Sequence, residues 1–125
     1  MSHLTHIKTR FQNLLYLQNV LNQLNIIHTQ KEKIVVHSNR SHLNVIIPQS
    51  NGYDIEFMWN GQEYELILDI SFWKQPFTIE SFIDKISHQY TREVIIAESQ
   101  KLGWQQIHFT KHTDGSNTLI LERWN

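Results

Sequence analysis

The spacing of apolar and polar residues changes several times along this chain, and each change marks an element. Residues 4–11 mix the two kinds in strand-like fashion and read as a first strand. From Leu14 the period becomes helical: Leu14, Leu15, Leu17, Leu21 and Leu24 recur along one face. Asn13 is placed to cap the first free N–H groups and Asn25 to stop the helix after about three turns. Two β-branched runs, residues 33–37 (KIVVH) and 43–48 (LNVIIP), follow as strands around a polar turn at 38–41. Pro48 suits a strand end, where its missing N–H costs little.

Residues 53–70 carry the clearest pattern. Asn60-Gly61 lies between two alternating runs, which predicts a hairpin with a two-residue turn. That turn would set Trp59 opposite Gln62, Phe57 opposite Tyr64, Ile55 opposite Leu66 and Tyr53 opposite Leu68, and Glu56 opposite Glu65 on the other face. Phe72, Trp73 and Phe77, with Pro76 among them, form an aromatic loop. Thr78 then caps a second helix, in which Ile79, Phe82, Ile83, Ile86 and Tyr90 lead on to Val94 and Ala97 at helical spacing. Gly103 fits the residue just past its end. The pattern allows one long helix or two with a kink near residues 90–92. Residues 105–111 and 118–123 read as two last strands joined around Asp114-Gly115.

The order β-α-β-β-β-β-α-β-β, joined mostly by short turns, predicts an α+β fold: a largely antiparallel sheet with two amphipathic helices on one face. The 125 residues are expected to form a single domain, 1–125, with no repeat, linker or low-complexity tract.

Composition narrows the chemistry. The chain has no cysteine, which removes disulfides, thiolate metal sites and cysteine nucleophiles. No apolar run nears the roughly 20 residues of a membrane-spanning helix, so no membrane insertion is expected. The opening MSHLTHIKTR lacks the apolar core of a signal peptide and the composition of a transit peptide, so the protein is expected to work where it is made. Sixteen isoleucines and ten asparagines against one alanine, Ala97, fit an AT-rich genome, whether cellular or organellar.

Net charge is −1, unevenly spread: residues 1–50 carry +4 and residues 51–75 carry −4. This balance argues against a general nucleic-acid binder, which carries a basic excess. Eight histidines share no ligand spacing, and His3 and His6 would fall on opposite faces of a strand, so no metal site is expected. No nucleophile turn and no phosphate-binding glycine loop is present, so no catalytic residue or cofactor is named.

One surface stands out. Asp54, Glu56, Glu63, Glu65 and Asp69 would project from one side of the hairpin as a carboxylate patch for a basic partner or a hard cation. The more ordinary reading is a solvated face answered by Lys31, Lys33 or Arg40. Trp73 is a candidate docking anchor, or else a plug for the end of a small core.

Four stretches carry a resemblance: MSHLTHIKT, NGYDIEFMWNGQEYELILDISFWKQP, TIESFIDKISHQYTREVIIAE and DGSNTLILERW. With these the chain resembles the hypothetical chloroplast reading frame thirty-five family of cyanobacteria and algal plastids, from Met1 to Trp124 and least between Asn25 and Ser50. The resemblance implies an organelle-encoded protein of the plastid stroma. It transfers no activity and no site residue, since the family is a domain of unknown function. The leading expectation is a non-enzymatic binding or assembly module with a protein partner of basic character. Two alternatives stand beside it: an enzyme or small-molecule binder with a pocket between sheet and helices, and a nucleic-acid binder using Lys8, Arg10, Lys31, Lys33 and Arg40.

Overall fold

A computed structural model of the chain describes residues 4–35, 40–114 and 117–123. The elements come in the expected order: β1 (Leu4–Phe11), α1 (Leu14–Gln23), β2 (Thr29–Val35), β3 (Arg40–Ile47), β4 (Ile55–Trp59), β5 (Tyr64–Asp69), a 3-10 turn (Ile70–Phe72), α2 (Ile79–Lys101), β6 (Trp104–Lys111) and β7 (Asn117–Arg123). The class is α+β. The chain divides into two compact units, residues 1–90 and 91–125, and α2 begins in the first and ends in the second. It is assigned as one helix, so of the two forms the pattern allowed the unbroken one is present.

The first unit holds a five-stranded antiparallel sheet in the order β1-β5-β4-β3-β2. In the second unit β6 and β7 pair only with each other among the described residues, so they do not extend that sheet. The turns at 38–41 and at Asp114-Gly115 fall partly outside the described residues. β2 starts at Thr29, earlier than its apolar run, because ladder pairing with Val45 and Ile46 needs only backbone groups.

Helix ends follow the predicted chemistry. The Asn13 side chain accepts from the Tyr16 N–H at 3.1 Å. Asn25 takes a left-handed φ of 58° beyond the last turn of α1. There the Asn25 N–H reaches the Asn22 carbonyl at 3.1 Å and the Ile26 N–H reaches that of Leu21 at 2.8 Å, closing both loose carbonyls. Thr78 caps α2, its hydroxyl accepting from Ser81 N–H at 3.1 Å. Gly103, at φ 86°, follows the other end of α2.

One sheet face carries the first unit's core. Val45, Ile47, Ile55, Phe57, Leu66 and Leu68 are buried there, with Leu17, Val20 and Leu21 of α1 and Phe82, Ile86 and Tyr90 of α2 also buried. Each such side chain contributes about 1.5–3 kcal/mol on leaving water. Rings tie the layers: Phe11 lies 6.3 Å from Phe57 and stacks on Tyr90 at 4.4 Å. The Tyr90 hydroxyl then accepts from the Asn13 and Gln12 N–H groups at 2.9 and 3.1 Å, fixing the junction of β1 and α1.

The hairpin register departs from expectation by two residues. Phe57 faces Leu66, Met58 faces Glu65 and Trp59 faces Tyr64, so Phe57–Tyr64 and Glu56–Glu65 are not opposed pairs. The Asn60 side chain is the cause. Its oxygen accepts from both Gln62 N–H and Glu63 N–H at 2.9 Å, and the Asn60 N–H donates to the Glu63 carbonyl at 3.0 Å. An asparagine-nucleated loop of residues 60–63 thus replaces the two-residue turn. A shift of two preserves both faces, because the side-chain period is also two. Tyr53 precedes β4, is 42% exposed and stacks flat on Phe72 at 3.8 Å; it has no core position opposite Leu68.

Candidate functional site

The candidate surface is the sheet face opposite Phe57 and Leu66. Alternation brings Glu56 and Met58 of β4 and Glu65, Ile67 and Asp69 of β5 to this side. β1 adds Leu4, His6 and Lys8, which pair with Asp69, Ile67 and Glu65. β3 adds Ile46, opposite Glu56, and Asn44.

The carboxylates differ in their surroundings. Asp54 is exposed and accepts from Gln49 N–H at 3.0 Å. Glu56 is half-buried and accepts from the Asn44 amide at 3.2 Å. Glu63 is half-buried just ahead of β5. Glu65 accepts from the Asn60 amide at 3.0 Å and lies 3.1 Å from His6 Nδ1. Asn60 first, then His6, hold its carboxyl below the ordinary value, and the Lys8 charge adds to the pull. The Glu65 charge is therefore answered from β1 and the hairpin loop, through partners other than the Lys31, Lys33 and Arg40 considered from sequence.

Asp69 requires a correction. It is only 6% exposed, and its carboxylate accepts from Ser71 N–H at 3.0 Å, capping the 3-10 turn. A short acid at a strand end can bond its own backbone two residues on, and that local use draws it inward. Ile67, at 8% exposure, is likewise covered. Trp73 lies apart from the carboxylates. It is half-buried, its indole N–H donates to the Phe77 carbonyl at 2.8 Å, and its ring meets Phe82 edge-on at 5.2 Å.

Several positions that shape this region escaped the sequence. Gln49 bridges two loops: its amide donates to the Tyr53 and Phe72 carbonyls, and its oxygen accepts from Lys74 N–H at 2.8 Å. Asn51 adds a bond to the Phe72 carbonyl at 2.8 Å. Asn44, 2% exposed, accepts from Trp59 N–H at 3.1 Å and so ends the β3–β4 ladder. A polar residue inside the β-branched run LNVII was its one visible signal. Three apolar side chains stand exposed near here: Leu4 of β1 (68% exposed), opposite Asp69, Ile70 of the 3-10 turn (55%), and Tyr53, stacked on Phe72.

What this arrangement can do is electrostatic. Among the described residues, no three histidine, aspartate or glutamate side chains converge on one point. Lys8 and Arg10 lie on β1 and Lys31 and Lys33 on β2, the two opposite margins of the sheet, and Arg40 opens β3. Among the described residues, no helix is long and apolar enough to cross a membrane.

A family model described as a protein of unknown function (DUF1257) matches residues 20–120. The chain is 54% identical over 121 residues to the uncharacterized protein ycf35 of Trieres chinensis, covering 94% of each chain. It is 38% identical over 127 residues to that of Pyropia yezoensis, across 100% of this chain and 99% of the relative. It is 32% identical over 126 residues to that of Cyanophora paradoxa, across 99% and 98%. No solved structure matches. These relatives are products of plastid genes, and this chain is a plastid-encoded member of the ycf35 (DUF1257) family of unknown function.

Proposed function

We propose that this protein is a non-enzymatic, single-domain binding or assembly module of the plastid stroma, and that it docks a basic protein partner on the hairpin face opposite Phe57 and Leu66. The observation that carries this is a juxtaposition. Glu56 and Glu65 share one side of β4 and β5, Asp54 and Glu63 lie just ahead of those strands, and the exposed Leu4, Tyr53 and Ile70 sit where β5 ends and β4 begins. Acid beside apolar surface suits a partner segment that pairs cations with an apolar anchor. The Gln49 and Asn51 bonds support a preformed surface, which limits the ordering cost of association. In this reading Trp73 wedges the loop against α2 and orients Phe72 and Tyr53 from behind.

The test compares the wild-type protein with Glu63→Lys and Ile70→Ser as baits in plastid stroma. Ile70 is exposed and Glu63 half-buried in the hairpin loop, so folded variants are expected by circular dichroism. A genuine partner is lost from both baits, and its capture by the wild type weakens as salt rises. Recovery of the same stromal proteins by all three would end this proposal.

A further inference from the structure

Away from the hairpin, the first unit has an apolar well between the end of α1 and the start of α2. It is lined by Leu24, Ile26, Phe77, Phe82, Ile86 and Lys85, with a volume of about 80 Å³. Phe82 and Ile86 are buried and form its floor. Lys85 is the sole charged group in the lining; it is exposed, and its Nζ lies 5.0 Å from the Phe77 ring centre. Among the described residues Lys85 makes no ion pair. Ile26 also borders a wider hollow of about 400 Å³ lined by Asn22, Asn25, Ile27 and His28.

We infer that this well binds a short aliphatic carboxylate, tail inward on Phe82 and Ile86, with its head at Lys85. Three features select that chemistry. Five apolar walls offer water few hydrogen bonds, so water there is held poorly and is displaced by an alkyl chain with gain. The volume is below the roughly 150 Å³ of an engineered cavity that takes benzene, which favours a slim chain over a ring. The lining carries one cation and no carboxylate, so it discriminates by charge in favour of an anion.

The probes are the straight-chain carboxylates from propanoate to octanoate, with the alcohol and the ammonium ion of matching length. They are titrated into ¹⁵N-labelled full-length protein and followed by amide shifts. The site requires saturable shifts at Leu24, Ile26, Phe77, Lys85 and Ile86. Each added methylene should tighten binding by about fourfold until the well is full, after which the gain stops. Lys85→Met keeps the alkyl stem and should weaken the carboxylates about two- to fivefold while leaving the alcohols unchanged. Lys85→Glu should reverse the order of carboxylate and ammonium. Because Lys85 is exposed, both variants should fold. Shifts that never saturate, equal affinity for carboxylate and ammonium, or affinity independent of chain length would each overturn the assignment.

Discussion

Replacing Tyr90 with phenylalanine isolates a single oxygen at the centre of the first unit. The ring stays, so the 4.4 Å stack on Phe11 and the 6.1 Å edge contact with Tyr16 persist and no cavity opens. What disappears is the acceptor for two backbone donors, Gln12 N–H at 3.1 Å and Asn13 N–H at 2.9 Å. One hydrogen bond contributes about 0.5–1.5 kcal/mol net, and a donor left dry costs about 1–3 kcal/mol. Gln12 and Asn13 are surface residues, so water recovers part of the loss. The expected destabilisation is about 2 kcal/mol, which for a domain of this size lowers the melting temperature by about 6–10 °C. Urea unfolding followed by tryptophan fluorescence should show the midpoint fall with an unchanged slope. Tyr64→Phe is the internal comparison. It removes one hydroxyl donor to the Leu43 carbonyl, at 3.2 Å, and should cost less, about 1 kcal/mol. A Tyr90→Phe loss under about 0.5 kcal/mol, or one smaller than that of Tyr64→Phe, would refute the idea that this hydroxyl holds the β1–α1 junction.

Other measurements bear on the same structure. The Glu65 carboxyl is held low in the folded state, so its contribution is complete above the ordinary carboxylate range and is lost as pH falls through the folded value; Glu65→Gln should flatten the acid limb of a stability–pH profile. Burial, with Tyr90 nearby, pushes the Tyr64 phenol up, so its contribution is complete below about pH 10 and fades as pH rises through the folded value, visible as late tyrosinate absorbance that Tyr64→Phe removes. Asn25→Gly should leave stability within a few tenths of a kcal/mol, while Asn25→Val should cost about 1–2 kcal/mol in thermal melts, because a β-branched residue resists φ 58°. Phe82→Ala should cost about 3–5 kcal/mol, and a loss under about 1 kcal/mol would contradict its burial.

Much of the fold was legible because its determinants are local. Asn13, Asn25, Thr78 and Gly103 mark helix ends through their own side chains or backbone freedom, and each stands where its chemistry predicts. Faces followed from alternation, which a two-residue slip leaves intact. The register itself was not legible, since Asn60 satisfies two turn amides with a side-chain oxygen, and its Asn-Gly pair reads the same in either loop. At the candidate surface, Asp69 turned inward through a bond to Ser71, and Glu65 found partners on β1, some 60 residues away in sequence. Long-range partners leave no periodic trace, and neither do the bridge at Gln49 and the hydroxyl of Tyr90. Arg10, at φ 65° in the irregular stretch of β1 between Lys8 and Phe11, gave no hint either, for nothing in an arginine invites that conformation.

That irregular stretch shapes how copies of the protein meet one another. With a net charge of −1, the molecule has almost no overall repulsion to keep it dispersed, and its strands, rich in Ile and Leu, are of the kind that stack into fibrils. Protection has to come from the two strands at the sheet margins, whose outer backbone groups could template a further strand. On β1, the left-handed residue at Arg10 breaks the line of donors and acceptors, while exposed Lys8 and Arg10 repel an identical edge. On β2, exposed Lys31 and Glu32 interrupt the approach of an apolar run. Colloidal behaviour in a crowded organelle is thus set by a few residues at the sheet's rim, and mutations there should reach abundance through aggregation before they touch the stability of the folded chain.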